Sequence, residues 1–174
     1  MIDAAYIQDH YVGIPLEGYK EFLFGLEKIT DIWFELVALG EEEWKSVGDE
    51  ERFGQFVPDF AVCAAHERNA NIGVVTIRHI ESARLVGYYV FTVGHPLKTA
   101  GKLVCNETGL YIVPEHRDGW MFRYFIRYVE KVAKHFGCKA VVVSHRPDAP
   151  RIGKLYERCG YKAANIDYFK PLDD

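Results

Sequence analysis

The spacing of apolar positions changes along this chain, and each change marks a boundary between elements. In residues 15–46, Tyr19, Phe22, Leu23 and Leu26, then Ile32, Trp33, Leu36 and Val37, recur at three- and four-residue intervals. That period predicts helix, with Pro15 suited to a helix start and Gly40 to its end. Residues 41–58 are polar and broken by Gly48, Gly54 and Pro58, which predicts a loop. Strand patterns follow in FAVCAAH (60–66), GVVTIRHI (73–80) and LVGYYVFTV (85–93), the last two joined by the hairpin-length link ESAR. HPLKTAG (95–101) predicts a loop, and KLVCNETGLYIV (102–113) one longer strand interrupted near Gly109.

The clearest period comes next. Phe122, Phe125, Ile126, Val129, Val132, Ala133 and Phe136 form one stripe of a helix. Arg123, Arg127, Glu130, Lys131 and Lys134 occupy its other face. Gly137 stands where a left-handed cap is expected. AVVVS (140–144) is a continuous apolar run, as suits a strand covered on both faces. Strand, helix and strand together predict a right-handed parallel crossover. Asp148 is positioned to cap a short helix, APRIGKLYERC, which Gly160 closes, and YKAANIDYFKPL (161–172) predicts a final strand. The expected fold is one α+β domain over residues 1–174. It has a mixed sheet, an antiparallel N-terminal half, one parallel β-α-β crossover and helices on both faces.

Composition narrows the function. A net charge of -4 supplies no basic footprint, so nucleic acid is not an expected partner. No apolar run reaches membrane length and the N-terminus lacks a basic start, so the expected location is the cytoplasm. Cys63, Cys105, Cys138 and Cys159 lie far apart without metal-ligand spacing and read as reduced, buried thiols. Aromatic residues at 14% exceed what a core of this size needs, so some are expected at a pocket or an interface, a homodimer interface included.

Candidate chemistry concentrates where the strand at 102–113 meets the long helix. The turn between them carries Arg117, Asp118 and Gly119. The first N–H groups of a helix lack internal partners and carry partial positive charge, so this turn suits an anion, with a phosphate-bearing ligand the leading choice. Neither GxxxxGK[ST] nor GxGxxG is present, which weakens a nucleotide-binding module.

PEHR at 114–117 and LYERCGY at 155–161, at this separation, resemble the GNAT superfamily of acetyl-CoA-dependent acyltransferases. The closer likeness is to members encoded by bacteriophages. It rests on LYIVPEHRDGW, on GKLYERCGYKAANIDYFKPL and on a loop holding His95 and the Lys98-Thr99 pair, and it spans roughly residues 60–172. The resemblance implies acetyl-CoA (coenzyme A) as cofactor, lying between the strand at 102–113 and AVVVS. Its pyrophosphate would meet Arg117, Asp118, Gly119, Trp120, Met121 and Phe122. Backbone N–H groups of Tyr111, Ile112 and Val113 would polarise the thioester carbonyl. Glu107 falls at the place of the family's base and Tyr156 at that of its thiolate-protonating tyrosine. The residues also admit plainer readings: Glu107 a solvated strand-end carboxylate, Tyr156 a packing aromatic, and Arg117 a surface charge paired with Glu115. His95, His116, Arg123 and Arg127 read most simply as surface residues.

Two functions follow. One is an N-acyltransferase acting on an amine of a small molecule or protein. The other is a GNAT-fold phage protein without catalysis, acting by binding as a virion component or a modulator of a host protein, found in the host cytoplasm or the virion. Trp120 and Phe122 stand where the family has small residues, Asp118 adds negative charge beside the anion site, and Pro150 lies in the PDAP that replaces a cofactor-contacting Asn. The Phe122 ring either starts the apolar stripe and enters the core or occupies the phosphate cleft.

Overall fold

The computed structural model describes residues 14–95 and 101–165. The Lys98-Thr99 pair and most of the expected final strand lie outside them. In chain order the elements are β1 (Glu17–Tyr19), β2 (Phe22–Glu27), α1 (Trp33–Ser46), α2 (Asp49–Phe53) and α3 (Phe60–Arg68). β3 (Ile72–His79), β4 (Leu85–Gly94) and β5 (Val104–Ile112) follow, then a 3-10 turn at Pro114–His116, α4 (Gly119–His135), β6 (Ala140–Val142) and α5 (Pro150–Arg158). The strands lie in sequence order in one six-stranded sheet. Pairs β1 to β5 are antiparallel, and β5 and β6 are parallel, joined by α4. This is the mixed α+β arrangement that the apolar pattern predicts.

Alternation along β4 sorts the two faces. Phe91 packs edge-on against Phe136 below α4, while Tyr88 donates its hydroxyl to Glu43 of α1. The core beneath α4 is aromatic, with Phe24 of β2 against Phe125 and Tyr128. The stripe from Met121 to Ala133 is buried there as its period requires. On the other face Arg78 of β3 fixes α1. Its guanidinium grips both oxygens of Glu27 at 2.7 and 3.0 Å and both of Glu35 at 3.1 and 2.8 Å.

Several local expectations give way. Residues 15–27 form a hairpin rather than helix. FLFGLE also alternates, burying Phe22 and Phe24, and six-residue pairing with β3 satisfies a backbone that a helix there would have satisfied alone. Lys20 takes a left-handed φ of 53° at the tight turn. Helix α1 continues through Gly40 into the stretch expected as loop. A Cβ on Gly40 would lie 2.7 Å from the Phe56 ring, so this glycine serves close approach rather than termination. FAVCAAH is helix α3, capped by Asp59, whose carboxylate accepts the Val62 N–H at 3.0 Å. Its buried Glu67 accepts from the Ile29 N–H and, at 2.7 Å, from the Thr30 hydroxyl, tying α3 to the start of α1.

The expected interruption near Gly109 is a bulge. Gly109 pairs with Val90 and Glu107 with Phe91, leaving Thr108 without an opposite residue in a strand that otherwise runs on. AVVVS contributes only Ala140–Val142, with Val142 exposed, because β6 lies at the end of the sheet among the described residues. Asp148 does not cap α5. Ala149 holds that position, and Asp148 pairs with Arg146 instead, at 3.1 and 3.2 Å. Residues 161–165 form no strand.

Candidate active site

Strands β5 and β6 pair only through Val104, Cys105 and Asn106. From Glu107 onward the two chains part, and the Thr108 bulge falls at that fork. Glu107 lies opposite Phe91, so its side chain belongs to the α4 side of the sheet. There the Tyr156 hydroxyl, carried by α5, donates to Glu107 Oε2 at 2.7 Å. Tyr156 is 3% exposed and packs against Phe122 and Tyr161 with ring centroids 5.4 and 5.5 Å apart. The Ser144 N–H, on the chain leaving β6, also reaches the Glu107 carboxylate.

This environment sets the protonation of both groups. Burial is the main force raising the Glu107 carboxyl, and the negative charge of Glu43 adds to it. Hydrogen bonds from Tyr156 and Ser144 oppose both, leaving it at about 7. Burial first, then the Glu107 charge, push the Tyr156 phenol upward, so it keeps its proton at neutral pH. A carboxylate that titrates near neutrality and a phenol that stays protonated make an acceptor and a donor side by side.

The entrance to α4 is less open. Asp118 caps the helix, accepting the Trp120 N–H at 2.7 Å and pairing with Lys20 at 3.2 Å. The Trp120 amide, foremost, then Lys20 hold the Asp118 carboxyl below its ordinary range. Arg117 is exposed, with Nε donating to the Ile112 carbonyl at 2.7 Å and the guanidinium 5.3 Å from the Tyr111 ring centroid. Gly119 begins the helix. Trp120 is 59% exposed, and Arg123 lies over its ring at 5.6 Å. Met121 and Phe122 turn inward, and the Phe122 ring, 5% exposed, enters the core against Tyr156. His95 and His116 play no part in this constellation. His116 packs against Phe22 at 4.9 Å, and His95 is exposed beyond β4.

The backbone of β5 divides by side. The Val113 N–H is spent on the Val86 carbonyl at 2.9 Å. Tyr111, opposite Tyr88, presents its amide to β4 in the same way, whereas the amides of Leu110 and Ile112 face the fork. The Leu110 N–H donates to Glu43 Oε1 at 3.3 Å, and the Tyr88 hydroxyl takes the other oxygen. Burial raises the Glu43 carboxyl, against the pull of these two donors. Sequence reasoning missed Glu43 because its segment reads as loop. The signal was present: Leu36, Gly40 and Glu43 continue one helical face.

Beside Glu43 a cavity of about 210 Å³ opens between α1 and the sheet, walled by Trp33, Leu36, Phe56, Tyr88 and Val90 and reaching Thr108 and Gly109. Asp49 of α2 also lines it and pairs with Arg146, whose Nη1 lies 3.5 Å away. Among the described residues no cluster of three His, Cys, Asp or Glu is placed to hold a metal ion, and no helix is long and apolar enough to cross a membrane.

No protein-family model matches the chain, and no curated protein matches it in sequence. Solved structures do match in shape. An acetyltransferase from Trypanosoma brucei aligns at TM-score 0.64 and 15% identity, over 87% of this chain and 99% of that one. Glucosamine-6-phosphate N-acetyltransferase from Arabidopsis thaliana aligns at 0.62 and 12%, over 88% and 100%. AAC(6')-Iy, solved with the bisubstrate analogue CoA-S-monomethyl-acetylneamine, aligns at 0.64 and 12%, over 89% and 100%. The chain therefore has the GNAT acetyltransferase fold.

Proposed function

We propose that the chain is an acetyl-CoA-dependent N-acyltransferase. The observation that carries this is the Tyr156–Glu107 hydrogen bond of 2.7 Å at the fork between β5 and β6. Such a fork is where an open α/β arrangement admits a ligand, and here it holds a matched proton acceptor and donor. Acetyl-CoA supplies an acetyl group on a thioester. Glu107, as carboxylate, takes the proton that the acceptor nitrogen loses as its lone pair forms the C–N bond. Tyr156 gives its proton to the sulfur that leaves with the C–S electron pair. The Ile112 amide, on the fork side of β5, is the backbone donor we assign to the carbonyl oxygen.

The residues around the α4 entrance suit an anion. Arg123 Nε is buried without a hydrogen-bond partner one turn into the helix, and Arg117 stands exposed at the entrance. These two arginines and the Gly119 amide are the groups we assign to the pyrophosphate. Asp118 competes there, since its carboxylate already holds the Trp120 amide. That competition favours the second reading, a binding protein without turnover, whereas the core position of Phe122 removes one of its supports. The free cysteines suit a reducing compartment, and we place the activity in the cytoplasm.

Release of free thiol from acetyl-CoA, followed with a chromogenic thiol reagent across a panel of amines, tests the proposal. Amine-dependent release that Glu107→Gln abolishes supports it. No release with any amine, together with no rise in melting temperature at millimolar acetyl-CoA, overturns it.

A further inference from the structure

We infer that the acceptor is a compact primary amine with an apolar, aromatic-sized body, its ammonium held by Glu43 in the cavity beneath α1. This rests on the acyltransferase reading and names its substrate class. The cavity of about 210 Å³ takes a single ring with a short arm. Its walls are mainly apolar, with Trp33, Leu36, Phe56 and Val90, and the donors of Tyr88, Thr108 and Trp44 in its lining are already spent on Glu43, the Val90 carbonyl and the Gly54 carbonyl. A buried hydroxyl left unpaired costs affinity, so a polyhydroxylated amino sugar is disfavoured there.

The charges of the lining are both negative, Glu43 and Asp49. Asp49 is engaged by Arg52 at 3.0 Å and Arg146 at 3.5 Å. Glu43 instead accepts from two neutral donors, the Tyr88 hydroxyl and the Leu110 amide. A carboxylate held this way beside apolar walls is completed by a cation, and phosphorylated acceptors are repelled. The ring of Phe56, packed against Gly40 one turn before Glu43, adds attraction for an ammonium. The anchor is also correctly placed. Glu43 Oε2 lies 3.4 Å from where a Gly109 Cβ would be, and Gly109 and Thr108 form the bulge that follows Glu107. Glu107 lies on the opposite face of the sheet, so an amine released from Glu43 reaches it around the edge of β5 at the fork, toward which the Leu110 amide held by Glu43 also points.

Calorimetric titration of the protein, without acetyl-CoA, uses 2-phenylethylamine, its uncharged analogue 2-phenylethanol, and glucosamine as probes. The expected order is saturable binding of 2-phenylethylamine, at least tenfold weaker binding of the alcohol, and glucosamine weakest. Glu43→Gln should weaken the amine about tenfold while leaving the alcohol unchanged. Equal affinity for amine and alcohol, tighter binding of glucosamine, or no binding of 2-phenylethylamine overturns the inference, whether or not the variant folds. The two readings fail differently. Thiol release with glucosamine but not with 2-phenylethylamine sinks this inference alone. Binding of 2-phenylethylamine with no thiol release from any amine sinks the acyltransferase reading.

Discussion

Glu107 and Tyr156 work only as a pair, and each sets what the other can do. Burial lifts the Glu107 carboxyl from 4.5 to about 7, so the native state holds that proton more tightly than the unfolded chain. Protonated Glu107 therefore contributes stability that is full below about pH 4.5 and lost as pH rises through about 7. Glu107→Gln cannot ionise and should lack this decline. Its melting temperature relative to the parent should rise between about pH 5 and pH 8, and a constant difference would contradict the assignment. In turnover the parent's kcat/KM should climb with pH to a midpoint near 7, and the Gln variant should lose about 10²–10⁴ in kcat together with that limb. Tyr156→Phe removes a donor that lowers the Glu107 value, so the midpoint should move above 7. It should also lower kcat with little change in KM for acetyl-CoA, since the phenol meets charge that develops only as the thiolate leaves. Full kcat with an unmoved midpoint would remove Tyr156 from the mechanism. Tyr156 could be singled out from sequence because it sits in LYERCGY, and Glu107 because it falls on the strand at 102–113, where the resemblance places a base. Glu43 was missed, since it follows an apparent terminating glycine in a run of three glutamates, and only the Leu36, Gly40 and Glu43 spacing marks it as inward-facing.

At the scale of elements, legibility followed length and one-sidedness. Helix α4 is long and buries one stripe, so its period was unambiguous. FLFGLE satisfies both periods at once, and only pairing with β3 decides it. FAVCAAH has too few residues to separate strand from helix by period, and its helix depends on the Asp59 cap. The entrance to α4 is the element whose behaviour is easiest to test. Asp118→Asn keeps a capping oxygen but removes the charge. It should leave the melting temperature nearly unchanged and tighten acetyl-CoA binding, measured by calorimetry; weaker binding would show that the carboxylate does not compete with phosphate. Phe122→Ala empties a buried ring site beside Tyr156 and should cost about 3–5 kcal/mol, read by denaturant titration, without improving cofactor affinity. A gain in affinity would mean that the ring shields the phosphate site.

At the scale of the molecule, the mixed sheet with one parallel crossover was readable because short connections and right-handed crossovers leave few ways to join antiparallel strands to one β-α-β unit, although its first two strands read as helix. The sides of the fork were not readable, because they are closed by long-range contacts: Arg78 to Glu35 fixes α1 on the sheet, and Arg146 to Asp49 ties α2 to the chain after β6. These ties hold two walls that approach from opposite ends of the sequence, and a ligand at the fork is expected to stabilise both at once. Acetyl-CoA binding the native state alone should add RT ln(1 + [L]/Kd), about 2.7 kcal/mol at a hundredfold excess over Kd. For a chain of this size that corresponds to a rise of roughly 5–11 °C in melting temperature. Arg146→Ala opens one tie without touching the Tyr156–Glu107 pair. It should lower the starting melting temperature slightly and reduce the increment from acetyl-CoA, because part of the binding energy then goes to ordering the walls. An unchanged increment in Arg146→Ala would show that the fork is preformed by the sheet alone, and that α2 and its tie serve only the acceptor side.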